Sequence, residues 1–397
     1  MPPLFKYIYF PLAMGIFVML KSCSNSDNIN QKPNINNELL KPSQQSVIDK
    51  KTTSTLSETD NSKEFPYSSS FSKSVGDIVN LDMSKLKSRT SPIENKISGE
   101  TSRISRSYHN IDNSISFRYL SVNFDNDIFN NTDYYYTNGV NISLVSPFAR
   151  SMPISKILLG IKSADINYFG LSLKQNIYTP INPEKPEISL GDRPFSAFLT
   201  FGNFRHSYDY FRLLSLKSEF NIGIIGPASL GGVVQSSIHK FEPIGWENQI
   251  NNSLAVNYEI EIEKGIFSNP HFEINGIAGA KMGTVFNKLF GGLYLRFGSF
   301  SPVYRGISNK SFQYWIFIEG KSNLVFYDAT LQGGMFSSNN KYTLSRSDIN
   351  THVFNASIGL AVFYNNIGLE LHNFYMTPEF KSAYDFRWGR VKLIFKI

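Results

Sequence analysis

From about Asn110 onward, apolar and polar residues alternate in short runs set apart by Gly, Asn, Pro and Ser. Leu254, Val256, Tyr258, Ile260 and Ile262 interleave with Ala255, Asn257, Glu259, Glu261 and Glu263. A strand sorts these into one apolar and one largely acidic face, which the 3.6-residue period of a helix does not. The same period recurs in GGLYLRFG, FQYWIFIEG, ASIGLAVFY, NIGLELHNF and the terminal VKLIFKI. Between Ser114 and Ile397 the pattern predicts about twelve strands, an even number as single-chain bacterial barrels have.

Two folds use such a pattern: a soluble β-sandwich or barrel, apolar inside, and an antiparallel transmembrane β-barrel, apolar outside with a polar lumen. Three features favour the membrane barrel. The N-terminus reads as an export signal, Tyr and Phe gather near strand ends as in an interfacial girdle, and the final strand runs to Ile397. Mid-strand Glu259, Glu261, Arg296 and Glu370 would then face a polar interior, which removes the cost of burying them against lipid.

The opening MPPLFKYIYFPLAMGIFVMLKSC carries one early base, Lys6, and an apolar run from Tyr7 to Leu20. That run is shorter than the roughly 20 residues a spanning helix needs, so residues 1–22 read as a signal peptide. Cys23 is the one cysteine of the chain, which rules out an internal disulfide. Leu20-Lys21-Ser22-Cys23 is similar to a bacterial lipobox, with Lys21 unusual in it; the alternative is ordinary cleavage nearby and a free thiol. Residues 23–109 are rich in Ser, Asn, Lys and Thr without a sustained period and read as a disordered linker. The domain plan is therefore signal, linker and, over 110–397, a barrel in the bacterial outer membrane.

A formal net charge of +7 favours anionic partners. Since no zinc-finger spacing, recognition helix or RNA-binding aromatic signature is present, nucleic acid is not expected, and phosphorylated lipid is the better partner.

Three stretches carry candidate chemistry. In FDNDIFNNTDYYYTNG (124–139), setting Val122 and Phe124 toward lipid puts Asn123, Asp125 and Asp127 in the lumen. Val140 and Ile142 toward lipid likewise put Thr137, Asn141 and Ser143 inside. Asp127 and Thr137 then meet on neighbouring strands, where carboxylate, amide and hydroxyl suit a hard cation such as Ca²⁺; the plain alternative is turn capping by Asx side chains. In NIGIIGPASLGGVVQSSIHKF, His239 follows Gln235 by four residues, a spacing that shares a face on a helix or a strand. His239 is either a general base toward water or an ordinary surface residue. In TPINPEKPEISLGDRPFSAFL, Lys185, Asp192 and Arg193 lie in a connection between strands, to bind lipid phosphate or to solvate the loop.

NFDNDIF, TDYYYTNG, QNIYTP, GDRPFSAFL, IGIIGPASLGGVVQSSIH and GWENQINN, in this order, resemble the outer-membrane lipid A 3'-O-deacylase family over about Ser114 to Ile397. The resemblance implies a twelve-stranded monomeric barrel that removes an ester-linked acyl chain from the lipid A of lipopolysaccharide, dependent on Ca²⁺, with its site near the outer leaflet. Its histidine base falls on His239, the nearby glutamine on Gln235, the Asn-Asp pair on Asn126 and Asp127, and the hydroxyl residue on Thr137. Its basic loop residues correspond best to Lys185, the second having no clear counterpart in this shorter loop; Arg193 is the further substrate contact read from the loop itself. Ile128 stands where some members have another acid, so Asp125 is the substitute second metal carboxylate. Strand parity puts Asn126 on the opposite face from Asp127 unless the strand bends there. An outer-membrane phospholipase and a non-catalytic porin or surface lipoprotein are the alternative functions.

Overall fold

A computed structural model describes residues 118–127, 134–238, 244–305 and 311–397. The signal, the linker with Cys23, and His239 lie outside the described residues.

Twelve strands form a closed antiparallel barrel: β1 (Tyr119–Asn126), β2 (Tyr135–Val145), β3 (Ile166–Thr179), β4 (Ser196–Asp209), β5 (Leu214–Ile225), β6 (Ser253–Ser268), β7 (Phe272–Gly283), β8 (Phe286–Ser299), β9 (Phe312–Asp328), β10 (His352–Tyr364), β11 (Ile367–Met376) and β12 (Phe386–Lys396). Each strand pairs with its sequence neighbours, and β1 closes onto β12 with Asp125 opposite Arg390. Closure satisfies the ladder of every strand, which a sheet in lipid requires because no water is there to bond an open edge. Three short helices sit in the connections: α1 (Pro147–Arg150), α2 (Gly231–Ile238) and α3 (Ala329–Gln332).

The alternation read from the sequence is the inside-outside rule of this barrel. Leu254, Ile262, Leu293, Ile318, Leu360 and Leu371 are exposed on the outer wall. Glu259, Glu261, Arg296 and Glu370 line the lumen, as expected. Inside, cations and carboxylates from different strands pair. Lys174 lies 2.9 Å from Glu219, Lys281 3.0 Å from Glu259, Lys321 3.1 Å from Glu261, and Lys392 2.9 Å from Glu370. Cavities of about 540 and 370 Å³ lie among these groups, so the interior is a wet, charged space and not a packed apolar core.

One end of the lumen departs from the polar expectation. At the rim where β1 ends, hereafter the loop rim, the β9–β10 and β11–β12 connections fold inward onto an apolar floor. Leu331, Leu344 and Phe380 there pack on Tyr135, Phe386 and Trp388, and Phe374 stacks on Trp388 at 4.7 Å between ring centres. Tyr135 and Tyr136, which composition suggested for an interfacial girdle, are buried in this assembly. Thr137-Asn138-Gly139, turn-like by composition, belongs to β2. Gly139 is needed there because a Cβ would stand 1.9 Å from the Tyr136 hydroxyl, which donates to Asp125 Oδ2 at 2.9 Å.

The pair Arg296–Glu273 tests how far the lumen depends on its ion pairs. Glu273 is fully buried, accepting from Arg296 Nε at 2.8 Å, and the guanidinium lies 4.0 Å above the Phe300 ring. Arg296→Met strands the carboxylate and is expected to cost about 3–5 kcal/mol of barrel stability, measured by urea unfolding in vesicles. The double variant Arg296→Met, Glu273→Leu is expected to recover most of that loss.

Candidate functional site

One row of residues on the outer wall is not left to lipid. Asn126 pairs with Asn138, Asn138 with Ile177, and Ile177 with Ala197 across β1, β2, β3 and β4. Their neighbours Tyr178 and Phe198 line the lumen, so alternation turns Ile177 and Ala197 outward. Both are nevertheless buried, packed with Phe195, Trp246 and Val234. The cover is α2 and the turn that follows it.

Local sequence explains the fit. The chain leaves β5 through Gly226, whose φ of +106° suits glycine and whose Cβ would meet the Asn251 carbonyl at 2.7 Å. Gln175 on β3 donates to the Ser229 carbonyl at 2.6 Å and fastens the helix start to the wall. A Cβ on Gly231 would stand 2.2 Å from that of Ala197, and one on Gly232 3.2 Å from the Trp246 ring. Two glycines therefore let the helix lie flush between wall and indole. Gln235, 2% exposed, accepts from Trp246 Nε1 at 2.5 Å through Oε1. Its Nε2 is buried with no hydrogen-bond partner among the described residues.

The other half of the strip comes from β1 and β2. The β2–β3 register shifts between Tyr136 and Asn138, a bulge with Thr137 as the extra residue. Tyr136 keeps to the lumen, while the Thr137 hydroxyl lies 2.7 Å from that of Thr179, which shares the outward phase of Ile177. This corrects the expectation that Thr137 faces the lumen with Asn141 and Ser143: the bulge breaks the parity on which it rested. Asn126 Nδ2 donates to the Thr137 carbonyl at 3.2 Å, and continuing the β1–β2 register sets Asp127 opposite Thr137. Asn138, not singled out by the sequence as a site residue, is 5% exposed with an unpartnered Nδ2. Only its place in TNG beside Thr137 pointed to it.

Two expected site residues lie elsewhere. Asp125 is inside the barrel, where Arg390 Nε and Nη2 bond its two oxygens at 2.6 and 2.7 Å and Tyr136 adds a third donor. Both carboxylate oxygens are thus occupied by a clasp between β1 and β12. Arg193 is fully buried, donating to Glu379 and to Thr330 Oγ1, each at 2.9 Å, with its guanidinium 4.4 Å above the Tyr178 ring. It pins its loop instead of meeting solvent. Next to it, burial raises the Asp192 carboxyl above its ordinary value, opposed by hydrogen bonds from the Ile181 and Arg193 amides. Lys185 is exposed, on a loop tied to the segment after α2 by the bond from Asn248 Nδ2 to the Pro186 carbonyl, 2.8 Å.

Among the described residues no three His, Cys, Asp or Glu side chains gather as a metal cluster. Asn126 and Thr137 are hydrogen-bonded to each other and Asp127 follows Asn126 in sequence; oxygen donors of these types fit a hard cation such as Ca²⁺ and not a soft one.

The family model for the outer membrane protein LpxR matches residues 105–397. Among solved structures, LpxR from Salmonella typhimurium aligns with a TM-score of 0.57 at 22% identity, covering 70% of this chain and 99% of that one. The β domain of the Bordetella autotransporter BrkA aligns at a TM-score of 0.36 and 8% identity, over 70% of this chain and 97% of that one. The translocator domain of NalP from Neisseria meningitidis gives 0.35 and 11%, over 76% and 98%. No curated protein matches the sequence.

If the two glycines seat α2, Gly231→Val is expected to lift it from Ala197 at a local cost of about 1–3 kcal/mol. Limited proteolysis is then expected to cut within residues 226–252 in the variant and not in the wild type, while the barrel keeps its heat-modifiable mobility on gels.

Proposed function

The chain belongs to the LpxR family of outer membrane proteins, and from that premise we propose that it is a lipid A deacylase working from the strip beneath α2. The observation that carries this reading is a set of buried polar groups on the lipid-facing wall, Thr137, Thr179 and Asn138, with buried Gln235 on the helix that covers them. Polar side chains at that position are costly unless something covers and uses them. The longer connections gather at the loop rim, which in outer-membrane barrels faces outward. An acyl chain of outer-leaflet lipid A reaches such a strip by moving sideways, without leaving the membrane.

In the proposed reaction His239, next in sequence after α2, takes a proton from water as its oxygen attacks the ester carbonyl carbon. The tetrahedral intermediate collapses with cleavage of the bond to the 3'-oxygen of the sugar, and the imidazolium returns the proton to that leaving oxygen. Products are a free fatty acid and a 3'-hydroxyl. Asn138 Nδ2 and Gln235 Nε2 are donors for the carbonyl oxygen as it gains charge, the kind of stabilisation that dominates acyl transfer. Trp246 fixes the Gln235 amide so that its NH₂ points away from the indole. Asp127, with oxygens of Asn126 and Thr137, would hold the calcium ion, which when bound supplies positive charge to the same oxygen. Lys185 meets a lipid A phosphate.

Lipid A mass spectrometry of cells expressing the full chain tests this. His239→Gln is expected to lower deacylation about 10²–10⁴-fold with the barrel still folded; full activity would remove the histidine from the mechanism. Asn138→Leu is expected to lower kcat about 10²–10³-fold with KM little changed. EDTA is expected to abolish turnover and Ca²⁺, not Mg²⁺, to restore it. Loss of acyl chains from phospholipid with lipid A untouched would make the protein a phospholipase.

A further inference from the structure

At the rim opposite α2 a second stretch of polypeptide lies against the outer wall. The connection from β2 to β3, residues 146–165, folds through α1 and a 3₁₀ turn (Pro153–Ile157) instead of taking a short hairpin. Phe204, His206 and Tyr208 line the lumen, so Asn203, Arg205 and Ser207 on β4 face outward. Asn203 and Ser207 are buried there. Ser155 donates to Asn203 Oδ1 at 2.9 Å, Ser218 donates to the Leu159 carbonyl at 2.7 Å, and the Tyr258 hydroxyl donates to the Ile157 carbonyl at 3.0 Å. The strap thus satisfies polar groups of the wall that would otherwise face hydrocarbon.

Its own outer surface is mixed in a particular way. Phe148, Ile157 and Leu159 are 69%, 54% and 53% exposed, and Arg150, Lys156 and Lys162 are exposed among them. Arg205 emerges beside Gly160, where a Cβ would strike its guanidinium at 2.1 Å. It donates through Nε to Asn167 Oδ1 at 3.0 Å and lies 5.5 Å from the Phe169 ring. Asn203 Nδ2 donates to the Ala149 carbonyl at 3.4 Å, which seats Arg150, the next residue of α1, over the same stretch of β4 that carries Arg205. Among the described residues, none of Arg150, Lys156, Lys162 and Arg205 is in a salt bridge with a carboxylate.

We propose that this strap is a binding site for an anionic phospholipid of the inner, periplasmic leaflet. The headgroup phosphate lies between Arg150 and Arg205, and the acyl chains run along Phe148, Ile157 and Leu159. Two guanidiniums without a carboxylate, near the rim of a lipid-facing wall and beside exposed Phe148, Ile157 and Leu159, call for an anion that arrives attached to hydrocarbon. Arginine forks match phosphate oxygens in pairs, and basic pockets on a membrane wall hold acidic headgroups by this means. The site is independent of the hydrolytic chemistry at the other rim.

Native mass spectrometry of the full chain, released from nanodiscs of phosphatidylcholine with phosphatidylglycerol, tests the site. The wild type is expected to retain phosphatidylglycerol in preference to phosphatidylcholine, and Arg150→Gln with Arg205→Gln to reduce that retention about tenfold or more. Should Arg205→Gln disturb folding, seen as lost heat-modifiable mobility, the exposed Arg150→Gln alone is expected to lower retention severalfold. Equal retention by wild type and Arg150→Gln overturns the proposal. Displacement of the bound lipid by millimolar inorganic phosphate would mean a free-ion site, and loss of co-purifying lipopolysaccharide instead would put the strap in the wrong leaflet; either also overturns it.

Discussion

A polar atom on the outside of a barrel has hydrocarbon for a neighbour, and leaving it uncovered costs several kcal/mol. Most of the outer wall meets that constraint with Leu, Ile, Val and Phe. Among the described residues, two groups of buried polar side chains on it are covered by other chain segments: around Asn138 and Thr179 near the loop rim, and around Asn203, Ser207 and Ser218 near the opposite rim. At each, the chain leaves the barrel and lies back over the wall, as α2 in one case and the β2–β3 strap in the other. The features with chemical potential in this protein are the two places where the wall is polar and roofed.

The two roofs differ in what they leave unsatisfied. Under α2, Asn138 and Gln235 each keep a buried NH₂ without a partner among the described residues. N–H donors held in this way suit a neutral carbonyl whose oxygen gains negative charge. The strap satisfies the wall's own polar groups, and its surplus is cationic and turned outward. A charge surplus of that kind suits an ion that stays bound.

Period-two alternation from Leu254 to Glu263 predicted both faces of β6, and the same logic placed the lumen charges, because each depends only on local phase. The twelve-strand count and closure followed from that pattern. Local phase also explains the failures. The bulge at Thr137 resets the parity of β2 through a pairing with β3 that the β2 sequence does not encode by itself. Asp125 finds Arg390 at the other end of the chain, and Arg193 finds Glu379 across two loops. A partner so far away in sequence cannot be read from a motif, so both side chains looked like ligands when they are fasteners. Gln235 was recognised by its neighbours in a motif, but its burial depends on Trp246, which arrives from the next turn.

The Asp125–Arg390 clasp has a temporal consequence. It joins the first strand to the last, so it forms only when the ring shuts, after the long chain-entropy cost of bringing the ends together has been met. Tyr136 is tethered to the same carboxylate, one residue before the bulge at Thr137. The β1–β2 end of the outer strip is therefore held from the closing seam. For the deacylase proposed above, this ties the β1–β2 half of the site to a finished ring, so a chain whose two ends have not met lacks it.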